Sequence, residues 1–253
     1  MVESPDSDKR SGGRRGARQS RCPGAAPSGR YNLSMLSMAP GTVHPITVAG
    51  PAGAIEALWK EPDGERRGSA VVAHAHPLHG GTMHFKVVFR IARALSRAGF
   101  GVLRFNFRGV GASAGTHDFG RGERDDFRAA LDTAQARGGL PMIAAGFSFG
   151  STVAIAAGSG DPRVAALVVA GLPVDRWAPG ESDRVEKPAL VISGDRDEFA
   201  DAAVLRELVE RRFARPRIEI VTDADHFLTG RLDVLEEKVL EFAAAVAGAG
   251  VAA

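Results

Sequence analysis

The sequence predicts an α/β fold, with a mostly parallel central sheet, helices on both faces and no large cap domain. From Thr42 onward, short apolar runs alternate with segments of helical period, as in parallel strands joined by crossover helices. The length of 253 residues, of which 44% are hydrophobic and 25% charged, suits one domain with a sizeable core. The predicted domain spans residues 41–253.

The first predicted elements are a hairpin and a strand–helix–strand unit. Apolar runs at residues 43–48 and 54–59 flank a Gly/Pro-rich turn, which predicts the hairpin. Residues 70–75 are apolar except for His74, as in a buried parallel strand. Residues 85–97 carry apolar side chains at helical spacing, and residues 101–107 predict the next strand.

The second half continues the alternation of strands and helices. A helix is predicted where Phe127 and Leu131 fall at helical spacing, and the strand after it ends at Ala145. A further helix begins after Ser148. Too few residues lie between Pro173 and Ala189 for a large cap. The remaining predicted strands are residues 164–170, 189–193 and 218–221, and the remaining helices are residues 201–213 and 231–247.

The N-terminal 40 residues differ in composition from the rest of the chain. They are rich in Gly, Ser, Arg and Pro without any helical or strand period, so we expect residues 1–40 to be a disordered basic extension. This segment holds seven of the 32 basic and three of the 30 acidic residues, which leaves the domain with a net charge of −2. A nearly neutral domain argues against a nucleic-acid partner and favours a small-molecule substrate.

Cysteine content and hydropathy predict the compartment. Cys22 is the single cysteine, so an internal disulfide is impossible. No apolar run reaches the roughly 20 residues that cross a bilayer, and no apolar signal region is present at the N-terminus. We therefore expect a cytoplasmic protein that does not associate with membranes; the sequence predicts no particular oligomeric state.

One pentapeptide carries the main chemical signal. Gly146-Phe147-Ser148-Phe149-Gly150 directly follows an apolar strand, which is typical of a nucleophile elbow, a tight turn that exposes a serine hydroxyl. Only glycine fits easily two residues before and after a serine held at positive φ. The following helix would direct its N-terminal dipole at an oxyanion beside Ser148. The alternative is a glycine-rich strand end that contains a serine by chance.

A serine nucleophile needs a base and an oriented carboxylate, and ligands of parallel sheets lie beyond the carboxyl ends of the strands. His226 follows the last predicted strand and is the only histidine C-terminal to Ser148, so we expect it to be the base. The candidate acids in the loops beyond other strands are Asp197, Asp195, Glu198 and Asp175.

An oxyanion hole requires two N–H donors. The residue after the nucleophile normally supplies one, so Phe149 is the first candidate. The second donor comes from the loop after the third strand, where we predict the amide of Leu78.

Several loops together resemble a family of small bacterial α/β hydrolases that are largely uncharacterised. The segments that carry the resemblance are His74-Ala75-His76-Pro77-Leu78-His79-Gly80-Gly81-Thr82-Met83, Leu103-Arg104-Phe105-Asn106-Phe107-Arg108-Gly109-Val110-Gly111, Ala145-Gly146-Phe147-Ser148-Phe149-Gly150, Gly194-Asp195-Arg196-Asp197 and Ala224-Asp225-His226-Phe227. The resemblance is looser to dienelactone hydrolases and acyl-peptidases.

This resemblance implies the α/β-hydrolase fold and a catalytic triad in the order Ser148, Asp197, His226. It favours Asp197 among the acids. The expected activity is hydrolysis of an ester, thioester or related acyl bond through an acyl-enzyme, with no cofactor and no metal. The family usually has His-Pro-His-Pro in the second-donor loop and Asp-Asn after Thr-Met, whereas this chain has Ala75, His84 and Phe85 at the changed positions. These changes alter the substrate entrance.

Two other functions compete with this interpretation. His74, His76 and His79 have the spacing of a His-x-His-x-Asp-His metal motif, although Leu78 occupies the Asp position, so a metal-dependent hydrolase is one alternative. A non-catalytic binding protein on a hydrolase scaffold is the other, and such a protein would typically have lost a triad residue.

Overall fold

A computed structural model describes residues 39–176 and 184–249. The predicted extension at residues 1–40 lies outside the described residues except for its last two positions, and so does Trp177 in the loop before the seventh strand.

Residues 39–176 and 184–249 form an eight-stranded sheet flanked by five α-helices. The sheet order is β1-β2-β4-β3-β5-β6-β7-β8; β1 and β2 pair antiparallel with their neighbours, and all other pairs are parallel. The strands are β1 Val43–Gly50, β2 Gly53–Lys60, β3 Gly68–Ala73, β4 Phe100–Phe105, β5 Met142–Phe147, β6 Val164–Ala170, β7 Val185–Gly194 and β8 Phe213–Val221. The helices are α1 Lys86–Arg97, α2 Arg121–Gly138, α3 Phe149–Gly158, α4 Ala202–Arg212 and α5 Leu232–Ala249.

The core lies on both faces of the sheet. In β3, Val71 belongs to the apolar cluster that contains side chains of α2, α3 and α4 on one face, and its neighbours Ala70 and Val72 belong to the cluster with α1 and α5 on the other. Successive side chains of a strand point to opposite faces, so a strand covered on both sides must be apolar throughout. This explains the continuous apolar runs of the central strands and confirms the predicted fold class.

The last strands are longer than predicted, since β7 begins four residues earlier and β8 five residues earlier. Pro188 and Pro216 interrupt the two apolar patterns. β8 is the edge strand, where a proline is tolerated because its missing N–H need not pair with a neighbour. In β7, the pairing with β8 is irregular between Val185 and Pro188.

In the part of the chain that the structure describes, no separate cap covers the sheet. Only 14 residues separate the end of β6 from the start of β7, and the first of them include a short 3₁₀ helix, Val174–Arg176. Within the described ranges, none of the helices is long and apolar enough to cross a membrane.

Candidate active site

Ser148 lies in a strained turn between β5 and α3. Its φ and ψ are 54° and −122°, a conformation that non-glycine residues rarely adopt. A Cβ at Gly146 would lie 2.1 Å from the carbonyl oxygen of Gly150, and one at Gly150 would lie 2.4 Å from the carbonyl oxygen of His74. Both positions therefore require glycine, and the turn presents Ser148 at the N-terminus of α3.

His226 follows β8 and reaches across the carboxyl edge of the sheet to the serine. Its Nε2 lies 3.0 Å from Ser148 Oγ, and its side chain is buried. The imidazole packs between Phe199 and Phe147, with ring centroids 4.6 and 5.1 Å away. A Cβ at Gly171 would lie 3.1 Å from His226 Cε1, so the loop after β6 also confines the ring.

Asp197 is the acid that the structure brings to the histidine. Both carboxylate oxygens lie 2.9 Å from His226 Nδ1. The hydroxyl of Ser193 donates to one oxygen at 2.7 Å, and the amide of Phe199 donates to the other at 2.9 Å. These two donors hold the buried carboxylate in a single orientation.

The other candidate acids lie elsewhere. Asp195 and Glu198 are exposed, and Asp195 accepts a hydrogen bond from the amide of Ala224 at 3.2 Å. Asp175 is an exposed residue of the short 3₁₀ helix after β6.

The predicted oxyanion donors are placed differently from one another. Phe149 is the first residue of α3, and the first N–H groups of a helix have no carbonyl partner within that helix. The side chain of Phe149 lines the cavity beside Ser148. Leu78, in contrast, sits in a 3₁₀ helix at Pro77–His79, and its amide donates to the His76 imidazole at 3.2 Å.

The amide of Leu78 is therefore engaged within its own loop, and its role as the second oxyanion donor stays a prediction. The 3₁₀ turn rotates the residue outward and leaves it 68% exposed, and the cavity is lined instead by Ala75, His76, His79 and Gly81 of the same loop. A Cβ at Gly81 would lie 2.1 Å from the carbonyl oxygen of Ala75, so this glycine allows the loop to close tightly against the cavity.

The three histidines of that loop do not form the metal site that the alternative function needs. His74 is fully buried; its Nδ1 donates to the carbonyl of Ala75 at 2.6 Å, and its Nε2 accepts the amide of Phe107 at 3.0 Å. Burial lowers the pKa of His74 to about 4, which keeps the ring neutral. The described part of the chain has no group of three or more His, Cys, Asp or Glu side chains that could hold a metal ion.

His74 has a structural role that could not be predicted from the sequence. Its two hydrogen bonds tie the start of the loop after β3 to the chain just beyond β4. The sequence shows only a histidine at the end of an apolar strand. This pattern does not distinguish a histidine that links two loops by hydrogen bonds from one that binds a metal ion.

A cavity of about 620 Å³ opens beside Ser148. One wall is α3, which contributes Thr152, Val153, Ile155 and Ala156. Five phenylalanines surround the rest of it, namely Phe85, Phe119, Phe149, Phe199 and Phe227. The volume suits a small substrate, and the lining is mostly apolar.

Arg124 and Phe119, which also line this cavity, were not singled out from the sequence. They belong to the start of α2 and the loop before it, about 25 residues ahead of Ser148 in the chain. Only the packing of α2 beside α3 brings them to the site.

Comparison with known proteins identifies the chain. A family model described as serine aminopeptidase, S33, matches residues 70–179. An uncharacterised protein from Rickettsia prowazekii is 30% identical over 203 residues, which cover 76% of this chain and 85% of the relative. An α/β serine hydrolase homologue from Coxiella burnetii is 33% identical, with a TM-score of 0.73 and coverage of 78% of this chain and 96% of that one.

The chain belongs to the small bacterial α/β hydrolases. A further member of known structure, an α/β serine hydrolase from Xanthomonas campestris described as lacking a lid, is 33% identical. The match has a TM-score of 0.74 and covers 80% of this chain and 94% of the Xanthomonas chain. The absence of a large cap in the described part of this hydrolase agrees with that relative.

Proposed function

We propose that this α/β hydrolase is a serine esterase or thioesterase that works through an acyl-enzyme intermediate. The observation that carries the proposal is the continuous contact from Asp197 through His226 to Ser148, with distances of 2.9 and 3.0 Å. The two contacts use opposite ring nitrogens, as proton transfer from serine to an oriented histidine requires.

In the first step, Ser148 Oγ attacks the substrate carbonyl carbon while His226 Nε2 takes the hydroxyl proton. Asp197 accepts the Nδ1–H, which fixes the tautomer with Nε2 unprotonated and stabilises the imidazolium that forms. The tetrahedral intermediate then expels its leaving group, which receives the proton from His226. Water then attacks the acyl carbon while His226 Nε2 takes its proton. The second intermediate releases the acid as His226 returns this proton to Ser148 Oγ.

The oxyanion of each intermediate needs donors that are already in place. The N–H of Phe149 and the N-terminal dipole of α3 both lie beside Ser148. We expect the second donor in the backbone of the Ala75–Gly81 loop, which contains Leu78, because four residues of this loop line the cavity.

Two features of the site favour small ester or thioester substrates over large ones. The cavity of about 620 Å³ holds small ligands, and only 14 residues separate β6 from β7. A small-molecule acyl substrate is accordingly the proposed partner. The cytoplasmic location stays a prediction.

Labelling with a fluorophosphonate probe tests the nucleophile. We expect stoichiometric labelling of the folded protein at Ser148, and none of the Ser148→Ala variant or of heat-unfolded protein. Ser148→Ala should lower kcat on 4-nitrophenyl esters and acyl thioesters by several orders of magnitude, about 10⁶-fold by comparison with other serine hydrolases. A folded protein that neither reacts with the probe nor cleaves any ester or thioester would instead support the binding-protein alternative.

A further inference from the structure

Within the described residues, the cavity wall beside Ser148 carries a positive charge and no negative one. Among the described residues that line it, Arg124 is the cation, and no lining residue is Asp or Glu. The remaining ionisable side chains of the wall are the imidazoles of His76, His79 and His226. The carboxylate of Asp197 lies behind His226, which separates it from the cavity. Such a surface attracts anionic ligands.

Arg124 has no acidic partner among the described residues. It is half-buried in the first turn of α2, and its Nε donates to the carbonyl of Gly120 at 3.2 Å. The four acids nearest in sequence are all engaged elsewhere: Asp118 with Arg121, Asp125 with Arg128, Asp126 with Arg108, and Glu123 with the amides of Asp118 and Gly120.

The position of Arg124 in the helix adds to the energetic cost of an uncompensated positive charge. A cation in the first turn faces the positive end of the helix dipole, which is the unfavourable end. The neighbouring Arg121 meets the same field but is compensated by Asp118. A bound anion would compensate Arg124 in the same way.

Arg124 lines the same cavity as Ser148. A Cβ placed on Gly120 would lie 3.8 Å from the ring of Phe149, and Phe149 directly follows Ser148. The hydrogen bond from Arg124 Nε to Gly120 thus fixes the arginine beside the residue that flanks the nucleophile. Its terminal N–H groups have no hydrogen-bond partner among the described residues, so they can bind a planar acid group in the two-point contact typical of arginine.

We infer that Arg124 binds a carboxylate on the substrate, so that the preferred substrates are esters or thioesters that carry a second, free acid group. The apolar side chains of α3 and the phenylalanines of the cavity would contact the chain between the two groups. The inference rests on the proposed function, because it names the substrate class of the same site.

Matched pairs of charged and neutral esters test this assignment. The first pair is mono-4-nitrophenyl glutarate and its methyl ester, which places the charge on the acyl side. The second pair is 4-acetoxybenzoate and its methyl ester, which places it on the leaving group. We expect the native protein to prefer the anionic member of at least one pair by roughly ten- to a hundredfold in kcat/KM.

Variants of two arginines of α2 test whether Arg124 causes the preference for the anionic ester. Arg124→Gln should abolish the preference by lowering kcat/KM much more for the anionic ester than for the neutral one, and Arg124→Lys should retain part of the preference. Arg128→Gln is the control, since Arg128 lies one turn further along α2, is exposed and pairs with Asp125. Equal turnover of charged and neutral esters by the native protein, or a preference that survives Arg124→Gln in folded protein, would overturn the inference.

Binding to an inactive protein separates this inference from the proposed function. Calorimetry with Ser148→Ala and Ser148→Ala/Arg124→Gln measures affinity for the anionic and methyl esters without turnover. Tighter binding of the anionic ester that disappears with Arg124→Gln supports the inference, even if the native protein proves inactive. Equal affinities overturn it, even if Ser148 is labelled and neutral esters are cleaved.

Discussion

Asp197→Asn is the most discriminating change in the site, because it replaces one carboxylate oxygen by an amide nitrogen and keeps the shape of the side chain. The carboxylate now receives three donors, from Ser193, Phe199 and His226. The asparagine carbonyl can still accept the Phe199 amide. Its NH₂ group then faces the Ser193 hydroxyl, which can rotate and become an acceptor.

The same NH₂ group would lie 2.9 Å from His226 Nδ1, where Asp197 Oδ2 now lies. An amide hydrogen pointing at Nδ1 favours the tautomer that carries its proton on Nε2. This tautomer cannot accept the proton of Ser148. A carboxylate-to-amide change at this position of a catalytic triad lowers kcat by about 10⁴, or about 5 kcal/mol of activation free energy.

The cost to stability should be much smaller. Since the neighbouring donors can be satisfied again, we expect a loss below about 2 kcal/mol in the free energy of unfolding. The assay is kcat/KM on 4-nitrophenyl acetate together with urea denaturation. Asp195→Asn is the control, because Asp195 is exposed and contacts only the amide of Ala224 among the hydrogen bonds described above. Activity of Asp197→Asn within about tenfold of native would refute the assigned orientation of His226.

Two further changes test the elbow and the packing of α1 on α5. Gly146→Ala places a methyl group 2.1 Å from a backbone oxygen, so we expect a loss of at least about 1–3 kcal/mol of stability, a melting temperature lower by several degrees and reduced turnover. Gly160→Ala, where a Cβ meets nothing within 4 Å, should be neutral; equal effects at both glycines would contradict the steric argument. Burial opposes ionisation of Glu236, but hydrogen bonds from three arginines of α1 outweigh it and lower its pKa to about 2. The stabilisation is therefore complete above the ordinary value of 4.5 and is lost as the pH falls toward 2. Glu236→Gln should cost about 1–3 kcal/mol at pH 7, and its gap from native in urea denaturation should narrow between pH 5 and about 2. Glu237→Gln, at an exposed position, serves as the control, and a gap that is constant with pH would contradict the ion-pair account.

The fold and the three residues of the proposed triad could be predicted because their signals are local. A buried parallel strand must be apolar on both faces, and a serine at positive φ needs glycine at two fixed positions, so both features appear in consecutive residues. Topology then places every loop that follows a parallel strand at one edge of the sheet, which made the loops holding Asp197 and His226 candidates.

Other features depended on contacts between distant parts of the chain. Asp197 could not be separated from Asp195 and Glu198 by residue type alone; the choice depends on which carboxylate faces the imidazole, and the donors Ser193 and Phe199 orient that one. The 3₁₀ turn that directs the amide of Leu78 toward His76 could not be predicted from the sequence either.

The sequence by itself determined the parallel sheet, the serine turn and the order of the loops along the chain. Only the tertiary structure decided which side chains meet: it joined Asp197 to His226, braced two loops with His74, and brought Arg124 of α2 to the cavity beside Ser148. The physical reason is that secondary structure follows from periodicity and backbone sterics over a few residues. The angle and depth at which a helix packs depend on the shapes of all the side chains between it and the sheet.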